Sequence, residues 1–249
     1  MRLKLPILLL AAVTPLATIA SEGKIRMAGG TTWAKVLTDS MVSRLESQCG
    51  SSIEVQGIGS ARGLKKLMDR EAEVALLAGS LDLIVNETNK KDPGTVKDSE
   101  IQYSRVYRHH IVIAVNASNP VAQVTSEQAR QIFSGKVRNW KEVGGPDLGV
   151  DVILASKGEG ARLEVQKQLL DGADFSARAR EMSVATDVPK ALEGSPGGIG
   201  SIPVTHLSSG IKRFEVGREI VLPLGLAVRR GESGKNVLCI VGELEKLSR

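Results

Sequence analysis

Apolar and polar positions follow two rhythms along this chain. Short runs with β-branched or alternating apolar residues, Lys24–Ala28, Ser52–Gln56, Glu73–Leu77, His110–Asn116, Val150–Leu154 and Glu219–Val228, predict strands. Between them apolar residues recur at helical spacing. Val36, Leu37, Met41, Val42 and Leu45 predict one helix, and Leu64, Leu67 and Met68 a second. Thr125, with Gln128 three residues on, reads as a capping box that opens a third helix with Ile132 and Phe133 facing inward. Leu163–Leu170 and Asn236–Lys246 predict two more, and Asp187 with Pro189 reads as an N-cap and first helical turn. The polar stretch 86–99, with Pro93 and Gly94, predicts a surface loop. Gly197-Gly198-Ile199-Gly200 leads into a further short strand. The unit strand, glycine turn, helix occurs three times. That pattern predicts an α/β fold with ligands at the carboxyl ends of the strands.

The start of the chain departs from this rhythm. Arg2 and Lys4 precede an apolar run from Leu5 to Ala20 that ends Thr18-Ile19-Ala20, the pattern of a secretory signal peptide over residues 1–20. The other reading is a retained anchor, but the run is short and contains Pro6 and Pro15. No later run is long enough to span a bilayer, so no membrane insertion is expected after signal removal. Removing Arg2 and Lys4 lowers the formal charge from +5 to +3, which is mildly basic and dispersed. With 3% aromatic residues there is neither a cationic stripe nor a stacking platform, so nucleic acid is not an expected partner. Cys49 and Cys239 read either as one disulfide of an exported chain or as two buried thiols.

Candidate chemistry is sparse. His109, His110 and His206 lack metal-ligand spacing, no Gly-x-Ser-x-Gly elbow occurs, and neither cysteine has an evident activating partner. No enzyme activity, metal or cofactor is expected. What remains is three glycine turns, around Thr31, Ser60 and Gly160. Each would expose backbone N–H groups at a helix start carrying about half a positive charge. Such turns either share one anion-binding cleft or simply permit tight strand-to-helix connections.

The segment HIVIAVNASNPVAQVTSEQARQIFSGKVRNWKEVGG, residues 110–145, resembles the substrate-binding proteins of phosphate transporters, the PstS-like family with the type 2 periplasmic-binding fold. Asn119-Pro120, Ile132-Phe133-Ser134-Gly135, Asn139-Trp140 and Gly144-Gly145 carry the resemblance. It extends more loosely over nearly the whole chain after the signal, through GIGSARG and GGIGSIP. These residues have structural roles: an extended turn at Asn119-Pro120, a left-handed helix end at Gly135 and an apolar plug at Trp140. The resemblance implies two α/β lobes with a cleft between them, lobe I at 21–106 plus 217–249 and lobe II at 107–216. Ligand would lie between the lobes, which would close by a hinge motion.

The family's binding positions imply a ligand set of Thr31, Thr32, Ser60, Ala61, Arg62, Lys157, Gly158, Gly160 and Arg162. Thr32 fits a hydroxyl ligand, and a Thr before a helix is equally a routine N-cap. The chain departs from the family at several of these positions. Arg62 replaces a glycine-like residue, and Ala78-Gly79, with Ser80 one step later, stands where an Asp or a Ser-Arg pair is usual. Ala155 replaces an Arg, and Gly158-Glu159-Gly160-Ala161-Arg162 stands for Gly-Ser-Gly-Thr-Arg. Lys157 offers charge there without the guanidinium fork. Each lost charge-assisted hydrogen bond is worth about 1.5–3 kcal/mol. Glu159 either faces solvent or points inward, where it would pair with Arg62 across the cleft. The expectation is a periplasmic solute-binding protein. It would take phosphate, another small oxyanion or a polar solute, and serve an inner-membrane ABC permease. The alternative is a binding module with a degenerate site that acts through protein contacts in the envelope.

Overall fold

A computed structural model describes residues 23–91, 93–232 and 234–248; the predicted signal peptide lies outside them. The first half begins with β1 (Ile25–Gly29), α1 (Thr31–Val36), α2 (Asp39–Cys49), β2 (Ile53–Gly57), α3 (Ser60–Met68), β3 (Val74–Ala78) and α4 (Leu81–Lys91). A long strand, β4 (Ile101–Asn116), leads into the second half. There follow α5 (Ser126–Phe133), β5 (Asp151–Ala155), α6 (Gly160–Gln168), β6 (Arg180–Met182), α7 (Val188–Glu193), β7 (Gly198–Pro203) and β8 (Ile211–Phe214). The chain returns through β9 (Ile220–Arg229) and ends in α8 (Lys235–Glu245).

All nine strands form one sheet of order β2-β1-β3-β9-β4-β7-β5-β6, with β8 also on β4. Each half repeats one plan. β1 pairs parallel with β2 and β3, and β3 then meets β9 antiparallel. β5 pairs parallel with β6 and β7, and β7 meets β4 antiparallel. The halves join where β4 and β9 run side by side, with a register shift between Arg105 and Tyr107. β3 shows why its run is apolar throughout: Val74, Leu76 and Ala78 enter one core cluster, Ala75 and Leu77 another. The sheet is mixed, parallel within each half and antiparallel where β4 and β9 join them, and helices cover the parallel parts.

The capping box forms as expected: Gln128 N donates to Thr125 Oγ1, and Thr125 N to Gln128 Oε1. Gly135 takes φ +77°, closing α5. Trp140 is fully buried, donates Nε1–H to the Gly197 carbonyl at 3.0 Å, and meets Phe214 edge-on. Cys49 and Cys239 form a disulfide between α2 and α8, 190 residues apart in sequence.

Three expectations are corrected. The first predicted helix is two, because Thr38 stops α1 and caps α2 by accepting from Met41 N. The apolar period runs through this break, so periodicity alone does not reveal it. The stretch 86–99 is partly helical, since α4 continues to Lys91. Asn89 then closes the turn by bonding both the N–H and the C=O of Val96. The strand expected at His110–Asn116 begins nine residues earlier, at Ile101.

Candidate functional site

The loops after β1, β2, β3 and β5 converge between the two halves. A Cβ added at Gly30 would lie 2.9 Å from Ser60 Oγ and 2.7 Å from Ala78 Cβ. Gly160 packs so closely on the end of β3 that its Cβ would stand 1.4 Å from the Ala78 carbonyl oxygen. The three glycine turns therefore share one crevice. Thr31, Ser60, Ala61, Gly158 and Gly160 come together there, and Thr32 is buried beside Thr31 in the first turn of α1.

The crevice is closed by direct contacts between the halves. Ala61 N donates to the Gly158 carbonyl at 3.3 Å, and Arg62 Nη2 to the Ser183 carbonyl at 3.3 Å. Ser80 donates its N–H at 2.6 Å, and its hydroxyl also, to Glu164 Oε1. Gln168 holds the other Glu164 oxygen. Ser60 Oγ accepts from Ala78 N and donates to Ala78 O, so its hydroxyl is already engaged.

Two buried polar atoms here have no hydrogen-bond partner among the described residues: Thr31 Oγ1 and Glu159 Oε1. Thr31 is 4% exposed and Glu159 2%. Glu159 therefore points inward, the second of the two orientations open to it. Its Oε1 and the Arg62 guanidinium both pack against Gly59, at 3.4 and 3.5 Å from the position a Cβ would take. No Arg62–Glu159 ion pair within 4.0 Å is present among the described residues. Arg62 reaches past the carboxyl to Ser183, and the Ala185 amide stands near the Glu159 carboxyl without satisfying Oε1. Burial pushes the Glu159 carboxyl up to about 7, against the downward pull of that amide and of the Arg62 charge.

The sign of the pH effect follows. A raised pKa means the closed form holds its proton more tightly than the open or unfolded chain. Glu159 thus contributes stability that is complete below its ordinary value of 4.5 and is lost as pH rises through about 7. Wild type should lose at most about 3 kcal/mol relative to Glu159→Gln across that window. Opening of the crevice, which rehydrates the carboxylate, caps the loss. Thermal unfolding of the two chains at several pH values checks this.

A cavity of about 180 Å³ adjoins the crevice, lined from both halves by Arg62, Lys65, Thr88, Lys157, Gly158 and Glu181, among others. Lys157 and Glu181 also line a larger neighbouring cavity of about 540 Å³, where Arg162 lies. Arg162 Nη1 donates to the Ala155 carbonyl at 2.8 Å and to Glu181 at 2.9 Å, and its Cζ sits 5.4 Å from the Phe175 ring centre. Burial opposes ionisation of Glu181, but Arg162 and Lys157 outweigh it and hold the carboxyl below its usual range. Arg162 thus braces Glu181 and the end of β5 rather than joining the glycine turns. Sequence reasoning missed Glu164, Ser183 and Glu181. Glu164 had a signal: it follows Gly160 by four residues and precedes Gln168 by four, on one helix face.

This geometry, two α/β halves closing backbone-rich loops on a shared crevice, defines a two-lobed binding protein. The chain belongs to the family described as the PBP superfamily domain, whose model matches residues 16–237. The phosphate-binding protein PstS of Bacillus subtilis is 26% identical over 188 residues, covering 76% of this chain and 59% of that protein. PstS of Borreliella burgdorferi is 24% identical over 149 residues, 59% of this chain and 50% of that one. The chain thus spans half to three fifths of the length of these relatives. An ABC-type phosphate transport receptor from Vibrio cholerae shares the fold with TM-score 0.67 and 19% identity, covering 90% of this chain and 96% of that one. A substrate-binding protein from Clostridium perfringens, solved with bound phosphate, aligns with TM-score 0.74 and 20% identity, covering 88% and 91%. The PstS-like resemblance carried by residues 110–145 holds.

Proposed function

We propose that this chain is the extracytoplasmic solute-binding component of an ABC-type importer. It is exported by its N-terminal signal to the periplasm and performs no chemistry on its solute. Lobe I comprises residues 21–106 and 217–249, lobe II residues 107–216. The register shift between Arg105 and Tyr107 lies next to the first of these boundaries and supports it. The solute is phosphate, another small oxyanion or a small polar molecule. Thr31, Thr32, Ser60, Ala61, Arg62, Lys157, Gly158, Gly160 and Arg162 form or support its site. The observation that carries this reading is the meeting of three glycine turns from both halves in one crevice. The names of the relatives support the oxyanion class and the permease partner.

A thermal-shift panel of anions and polar metabolites tests it. A solute at a hundred times its dissociation constant should add about 2.7 kcal/mol of stability. Lys157→Ala should weaken that response about tenfold or more, because the ammonium lines the cavity from lobe II. A second reading, a degenerate module acting through protein contacts, is favoured by one observation: the loops already bond to each other across the crevice. Silence of the wild-type chain to every solute supports that second reading.

A further inference from the structure

We propose that Glu159 is the specificity-determining residue of the crevice: its carboxyl fills the place a small oxyanion would take, so the protein closes on its own side chain and rejects free phosphate and sulfate. The proposal rests on the reading of this crevice as a solute site. α3 and α6, nine residues each, begin on opposite sides of it, at Ser60 and Gly160. Helix starts bring partial positive charge and free amides, which suit an anion. The acidic group standing there is the protein's own carboxyl, which burial holds protonated up to about pH 7. Glu159 is the residue just before α6, 2% exposed, with Oε1 unpartnered among the described residues and set against Gly59, just before α3. Thr31 Oγ1, equally buried and unpartnered, marks a second hydrogen-bonding group of the crevice that no protein atom satisfies.

An ionised carboxyl presents negative charge and an oxygen edge like those of an oxyanion, and it is tethered. A free ion must displace a group whose effective concentration is set by the chain itself. It must also share a water-poor space with a like charge, which disfavours both. Arg62 offsets this only in part: its charge favours the carboxylate, but burial outweighs it and its Nη2 is engaged with the Ser183 carbonyl. A solute that enters beside an ionised Glu159 has to offer Oε1 a hydrogen-bond donor; fully ionised sulfate has none, and dibasic phosphate has one proton to give while its other oxygens still meet the carboxylate charge.

The experiment is calorimetric titration of the whole exported chain with sodium phosphate and sodium sulfate at about pH 8, where Glu159 is ionised. Wild type should give no saturable heat at millimolar ion. Glu159→Ser removes the carboxyl and supplies a hydroxyl, and should bind phosphate at least about tenfold more tightly than wild type. Adding Thr31→Val to that variant should erase the gain. Circular dichroism establishes folding, and Glu159→Ala carries the same test if the serine variant does not fold. Saturable phosphate binding by wild type overturns the proposal and strengthens the solute-binding reading. No gain in the folded Glu159 variant, or a gain that survives Thr31→Val, overturns it as well. The solute-binding reading fails separately, when no solute stabilises wild type while the Glu159 variant still gains phosphate.

Discussion

Gly160→Ala should hold the crevice open without weakening the fold. The new methyl would lie 1.4 Å from the Ala78 carbonyl oxygen and 2.5 Å from its carbon. Both are backbone atoms in β3, so no side-chain rotation relieves the clash, and separation of the lobes does. Opening breaks the bonds from Ser80 to Glu164, Ala61 to Gly158 and Arg62 to Ser183. The global fold has no reason to suffer. Gly160 is absent from the positive-φ positions, and alanine in a helix is favoured over glycine by up to about 1 kcal/mol. The variant should therefore keep or raise its melting temperature and show a larger radius of gyration in small-angle scattering. Any solute that needs the closed form should bind about a hundredfold more weakly or worse, about 2.7 kcal/mol. A variant whose scattering matches wild type would show that the contact at Ala78 yields more easily than backbone should.

Removing the disulfide, as Cys49→Ser with Cys239→Ser, should cost about 2–5 kcal/mol, toward the upper part of that range. The reason is the size of the ring it closes, a separation of 190 residues that takes in β2 through β9. Cross-linking so long a loop removes much freedom from the unfolded chain. For a chain of this size the loss converts to a fall of roughly 5–15 °C in melting temperature. Reduction of wild type with dithiothreitol should reproduce it. α2 and α8 pack together apart from the bond, so the reduced protein should still fold in the cold. A loss below about 0.5 kcal/mol would place residual contacts between these helices in the unfolded state.

Much of the fold was legible because local chemistry agreed with it. Thr125 with Gln128 wrote a helix start, Gly135 a helix end, and Trp140 a plug, and all three stand as expected. Elements were lost where tertiary context outweighs pattern. β6 is three residues long and exists by pairing with β5. β8 is four residues set against β4. Lys90 and Lys91 end α4 in a polar stretch that carries no apolar stripe to read. At the crevice the glycine turns were legible, because glycine is required where backbones touch. The inward turn of Glu159 was not, since a carboxylate at a helix start usually faces water. Nor was the choice of Arg62, which passes over the nearby carboxyl for a carbonyl. Such choices depend on distances that spacing along a chain does not encode.

The β4–β9 ribbon sets how the lobes can travel. A joint made of two paired strands has no slack segment to swing on. Its compliance is torsion, spread over ten residues of β9 and softest where the register slips between Arg105 and Tyr107. Such a spine would twist through modest angles and return along the same path. A return along that path would bring Gly160 to the same carbonyl and Ser80 to the same carboxylate, so jaws that opened on this spine would meet in one alignment on shutting.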